Sequence, residues 1–94
     1  MATKIVMYTG DNCGKCNAAK VHLGNLPPHI KDEVTIIEIN VDETKYQRDY
    51  VVNELKSNTL PTFELFKTED YNEKPEVLRG FDENIGKIMD ALGL

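Results

Sequence analysis

The run Val34 to Val41, VTIIEINV, constrains the fold more than any other segment of this chain. Val, Ile and Thr occupy odd and even positions alike, so a strand here carries apolar side chains on both faces. Such a strand is expected at the centre of a sheet, with helices covering both sides. That calls for helix, sheet, helix layers.

The remaining segments supply the partners. Lys4 to Tyr8 is a short apolar run closed by Thr9, Gly10, Asp11 and Asn12, and reads as a buried strand. Cys16, Ala19, Leu23 and Leu26 recur at helical spacing until Pro27 and Pro28 end the pattern. A second helix is expected from about Thr44 to Ser57, with Val51, Val52 and Leu55 inside and Lys45, Arg48, Asn53 and Glu54 in water. Thr62 to Phe66 and Glu76 to Arg79 read as strands joined by a polar hairpin loop, Lys67 to Pro75. A last helix, with Asp82 as N-cap, carries Ile85, Ile88, Met89 and Leu92 on one face. The order is β-α-β-α-β-β-α. Its first three elements form a right-handed parallel unit, and the last two strands pair antiparallel, giving a four-stranded mixed sheet.

With 94 residues and no internal repeat or linker, residues 1 to 94 are expected to form one domain and a monomer. Eleven Lys and Arg against sixteen Asp and Glu leave a net charge of −5, without the basic cluster that nucleic acid binding requires. Neither a secretory signal nor a membrane span is expected, since Ile5 to Met7 is too short an apolar run for either. The cytoplasm is the expected location. Two cysteines are too few for the disulfide framework of a small secreted domain, and in a reducing compartment they point to catalysis or metal binding.

Those cysteines form Cys13-Gly14-Lys15-Cys16, at the turn from the first strand into the first helix. Unpaired N–H groups and the positive end of the helix dipole favour a thiolate at Cys13; Lys15 adds to the effect and Asp11 weakly opposes it. Cys13 is therefore the expected nucleophile and Cys16, one turn on and facing inward, the resolving thiol. Gly14 leaves room for a foreign sulfur to approach, which suits attack on an external disulfide followed by intramolecular release. Three plainer readings compete. A zinc half-site would need His22 and His29, but six residues separate them where three to five are usual, and no second CxxC exists. A structural disulfide would close too short a loop to stabilise much. Two small buried thiols are also possible, although the polar neighbours of Cys13 disfavour burial there.

Thr59-Leu60-Pro61-Thr62 precedes the third strand. Alone, Pro61 is an ordinary way to begin a strand, and its peptide bond is trans by default.

Taken together, these features resemble the thioredoxin fold in its small glutaredoxin form, and most nearly the NrdH-type redoxins that pass electrons to ribonucleotide reductase. The likeness rests on Tyr8-Thr9, Asn12-Cys13-Gly14-Lys15-Cys16, Arg48-Asp49-Tyr50-Val51, the proline at Pro61 and Gly80-Phe81, and covers nearly the whole chain. It implies a redox-active Cys13–Cys16 disulfide with no tightly bound cofactor. It also implies a cis peptide before Pro61, a Leu60 backbone that pairs with extended substrate, and a groove lined by Tyr8, Lys15, Thr59, Leu60, Pro61, Gly80, Phe81 and Asp82. Glutaredoxins that use glutathione often carry a Lys where this chain has Gly10, an aromatic where it has Lys15, and a Gly pair where it has Gly80 alone. Thioredoxin proper has a Trp where this chain has Asn12.

The expectation is a dithiol–disulfide oxidoreductase, an electron carrier that reduces protein disulfides such as that of ribonucleotide reductase. Its electron source is expected to be thioredoxin reductase rather than glutathione. The only cations offered to a glutathione carboxylate are Lys15 and Arg79, with Asp11, Asp82 and Glu83 nearby, and Gly10→Lys should raise glutathione-coupled activity. A redoxin fold retained as a binding module is the alternative from another class.

Overall fold

A computed structural model describes residues 2–67 and 74–94. β1 (Lys4–Thr9) has five buried residues in six and separates two apolar clusters. Ile5 and Met7 face one cluster, Val6 and Tyr8 the other, as strand alternation requires. The first cluster lies under α1 (Gly14–Gly24), the short α2 (Pro28–Lys31) and α4 (Ile85–Ala91), and includes Phe63 and Leu65 of β3 (Thr62–Phe66) and Leu78 of β4 (Glu76–Arg79). The second lies under the π-helical turn Tyr50–Glu54, which continues the exposed α3 (Lys45–Asp49). The helix, sheet, helix layering is as expected. Among the described residues no helix is long and apolar enough to cross a membrane.

The sheet order is β2-β1-β3-β4, where β2 is Thr35–Asn40. β1 pairs parallel with β2 and antiparallel with β3, and β3 pairs antiparallel with β4. The apolar run at 34 to 41 is thus an edge strand, not the central one, and Ile37 is 39% exposed. Its β-branched residues encode strand formation, but the deepest burial, at Val34 and Val41, falls just outside the strand. The two central strands are β1, between β2 and β3, and β3, between β1 and β4.

Three helix boundaries also differ. α1 stops at Gly24, and Pro28 opens α2, where a missing N–H costs nothing at the first helical position. Thr44 caps α3 by accepting from the Gln47 N–H at 3.3 Å, but the π turn adds a residue after Asp49. Val51 and Leu55 are buried, while Val52 is rotated outward to 42% exposure. Asn84, not Asp82, occupies the N-cap position of α4, and its amide donates to the Arg79 and Gly80 carbonyls at 2.8 and 2.9 Å. Of the expected hairpin loop, residues 68–73 lie outside the described residues; the strands it joins are antiparallel. At the other end of the sheet, the Ala2 N–H donates to the Ala91 carbonyl at 2.6 Å.

Glu64 on β3 points into the α3 layer and is 5% exposed. Tyr8 and Tyr50 donate their hydroxyls to its two carboxylate oxygens at 2.6 and 3.0 Å. Burial, reinforced by Glu64, pushes both phenols above their ordinary value of 10.0. A raised folded-state value contributes stability that is complete below about pH 10 and is lost as pH rises beyond it, by up to about 1.4 kcal/mol per pH unit per tyrosine. Urea unfolding between about pH 8 and about pH 11 should therefore show a steeper alkaline loss for the wild type than for Tyr8→Phe. Parallel curves would remove this role for Tyr8.

Candidate active site

β1 ends at Thr9, and Asn12, at φ 53°, turns the chain so that Cys13 becomes the N-cap of α1. Cys13 Sγ accepts from the Cys16 N–H at 3.1 Å, and the Asn17 N–H reaches the Cys13 carbonyl at 3.1 Å. The sulfurs of Cys13 and Cys16 are joined as a disulfide. Cys13 is the partly exposed member and Cys16 the fully buried one.

The loop before Cys13 is braced by residues outside the motif. The Asp11 N–H donates to Asp42 Oδ2 at 2.7 Å, the Asn40 amide to Asp11 Oδ1 at 3.0 Å, and Arg48 forms an ion pair with Asp42. Parallel pairing of Thr9 with Asn40 brings the end of β2 beside the loop, so Asn-Val-Asp at 40 to 42 was the available signal. Just behind, Thr9 donates to Glu38 at 2.9 Å and Lys20 lies 2.7 Å from the same carboxylate. The Lys20 hydrogen bond holds the Glu38 carboxyl below its usual range.

The opposite wall is the segment before β3. Cys13 Sγ lies 3.9 Å from the Leu60 carbonyl oxygen, and the Leu60–Pro61 peptide is cis. Hydroxyls secure this segment. Thr62 donates to the Thr59 carbonyl at 2.6 Å, and Ser57 lies 2.7 Å from Thr62 Oγ1 and 3.1 Å from the Thr59 carbonyl. Ser57 and Thr62 were missed at the sequence level; their signal was small hydroxyl residues flanking a proline at a buried strand start. The Pro61 carbonyl accepts from the Gly80 N–H at 2.9 Å, and Gly80 has φ 94°, which favours glycine.

A family model described as Thioredoxin matches residues 2–90. The chain belongs to the thioredoxin family. No curated protein matches it in sequence. Among solved structures, the thioredoxin-like protein BC3987 is similar at 23% identity and a TM-score of 0.67, over 93% of this chain and 97% of that one. Thioredoxin f2 of Chlamydomonas reinhardtii is similar at 22% and 0.65, over 96% and 80%. Mitochondrial thioredoxin 3 of Saccharomyces cerevisiae, in its oxidised form, is similar at 21% and 0.64, over 93% and 76%. Likeness at this level of identity establishes the thioredoxin fold.

Within this thioredoxin fold the other expected groove residues separate into two groups. Lys15 and Asp82 are exposed and meet, with Lys15 Nζ 3.4 Å from Asp82 Oδ2, linking the start of α1 to the segment after β4. Thr59 and Leu60 are at least partly exposed, whereas Pro61 and Gly80 are buried and contribute backbone. Phe81 is buried too, its ring 6.4 Å from that of Phe63 and edge-on to His22 at 5.8 Å. Tyr8 is not brought to this surface, since its hydroxyl is held by Glu64 in the core. His22 sits 3.3 Å from Met89, and among the described residues no three His, Cys, Asp or Glu converge as metal ligands.

The cations differ from expectation. Arg79 donates to the Leu55 carbonyl at 2.7 Å and to the Lys56 carbonyl at 3.1 Å, so its guanidinium closes the end of the helical layer and is not offered to the groove. At Gly10, a Cβ would lie 2.8 Å from Leu60 Cδ1 and 3.0 Å from Asp42 Oδ2. Gly10→Lys would displace the Leu60 side chain as well as add charge, so it no longer serves as a simple restoration of a glutathione contact.

Proposed function

We propose that this chain is a dithiol–disulfide oxidoreductase of the NrdH-like kind, reducing protein disulfides. The observation that carries the reading is the outward Cys13 sulfur at a helix N-cap, joined to the buried Cys16 and facing the Leu60 backbone before a cis-proline. In the reduced protein the Cys16 N–H and the helix N-terminus stabilise a Cys13 thiolate. That thiolate attacks one sulfur of the target disulfide; an S–S bond forms to Cys13 and the target's own S–S bond breaks. The departing target thiolate takes a proton. Cys16, as thiolate, then attacks the Cys13 sulfur, closes the Cys13–Cys16 disulfide and expels the second target thiolate, which is protonated in turn. Two electrons pass to the target. Extended target chain pairs with the Leu60 backbone, which leaves side chains to choose the partner.

Ribonucleotide reductase is a target of this class, and a cytoplasmic monomer that needs no bound cofactor suits the work. Thioredoxin reductase is preferred to glutathione as electron source because Arg79 is held by the Leu55 carbonyl and a tripeptide carboxylate that drew on Lys15 would leave Asp82 uncompensated beside it. Oxidised protein incubated with NADPH and thioredoxin reductase should consume NADPH, whereas NADPH with glutathione and glutathione reductase should not. Consumption only in the glutathione mixture reverses the choice of reductant. Consumption in neither sinks the oxidoreductase reading.

A further inference from the structure

The Lys15–Asp82 ion pair joins the residue between the two cysteines to the segment after β4, with side chains 59% and 66% exposed. Exposed pairs of this kind are worth only about 0.2–1 kcal/mol, so they exchange readily. An incoming ammonium or guanidinium can take the place of Lys15 at Asp82. An incoming carboxylate must instead draw Lys15 away and leave Asp82 uncompensated beside it.

The surrounding charges bias that exchange in one direction. Arg48 is paired with Asp42, and Arg79 is held by the Leu55 and Lys56 carbonyls. Among the described residues no cation lies within ion-pair distance of Asp11 or Glu83. The Glu83 carboxylate is folded over Gly80, its Oε1 2.7 Å from where a Cβ would stand. On the segments that flank the disulfide, then, Asp82 is met by Lys15 and Asp42 by Arg48, while among the described residues Asp11 and Glu83 have no cation within ion-pair distance, on a chain whose net charge is −5.

We propose that the groove selects disulfides flanked by Lys or Arg, and that Asp82 is the specificity residue that receives the substrate's cation. This rests on the reductase reading above and adds the class of substrate to it. The exchange also frees the Lys15 ammonium next to the reacting sulfurs, where it favours thiolate over thiol. Attraction by the whole acidic rim raises the rate of encounter, which makes the preference sensitive to salt.

The test uses three synthetic peptides closed by the same disulfide and flanked on both sides by Lys, Ser or Glu. Each kcat/KM is divided by the rate at which dithiothreitol reduces that peptide, which removes differences in intrinsic reactivity. At low ionic strength the Lys peptide should exceed the Glu peptide by about fivefold, the Ser peptide lying between. The ratio should approach one in roughly 1 M salt, where screening extends to about 3 Å. Asp82→Asn should shrink the ratio and Asp82→Lys should invert it. Equal normalised rates for all three peptides, a faster Glu peptide, or a ratio unchanged in both variants would overturn the proposal. Failure to reduce even the Ser peptide would instead strike the reductase reading.

Discussion

Cys13→Ser should lower protein disulfide reduction to the rate seen without protein, because a hydroxyl at the N-cap cannot act as the attacking sulfur. Cys16→Ala should behave differently. It retains the nucleophile, so the first exchange proceeds and the covalent adduct between Cys13 and the target accumulates. Ala is the replacement of choice, since Cys16 is fully buried and Ala brings no new polar group there. Insulin reduction followed by turbidity measures the loss, and intact-mass spectrometry under non-reducing conditions measures the adduct. Full activity in Cys13→Ser, or an adduct that forms through residue 16 instead, would assign the roles wrongly.

Phe63→Ala should produce the largest loss of stability of any single side-chain truncation discussed. Phe63, the second residue of β3, is fully buried opposite Met7 and Leu78, its ring 6.4 Å from that of Phe81. Removing a buried phenyl typically costs about 3–5 kcal/mol. Against a total of about 5–15 kcal/mol for a domain of ordinary stability, that is a large fraction. A fall in Tm of about 12 °C or more is expected for a domain of this size, with Phe63→Leu well short of it. Because Phe81 lies between Gly80 and Asp82, the truncation should also loosen the groove wall and raise KM in the variant molecules that remain folded. A cost below about 1 kcal/mol would contradict this packing.

How much of this was legible depended on how local the cause was. The inward stripe Cys16, Ala19, Leu23 and the CxxC at a strand-to-helix turn follow from spacing within a dozen residues, and both stand in the structure. So do the strand order in sequence and the mixed pairing, which chain connectivity dictates. The position of β2 at the edge was not legible, because β-branched composition encodes the preference for extended backbone and not how many neighbours that backbone has. The π turn after Asp49 likewise has no composition of its own. Glu64 looks like the wet face of an alternating strand; the two phenols that bury it lie 56 and 14 residues away. The brace around Asp11 is equally distant, since Asn40 and Asp42 reach it only after β1 and β2 are in register.

The bond between Ala2 and Ala91 has a consequence for how such a domain can be joined to anything else. β1 runs from beside that bond at Lys4 to the redox loop beyond Thr9, five steps of about 3.3 Å, so roughly 17 Å separates the two edges. Ala2 and Ala91 therefore both lie at the edge remote from Cys13. A purification tag, a solid support or a neighbouring domain attached ahead of Ala2 would hang from the back of the molecule. The sulfurs would still face outward, free to meet large protein surfaces.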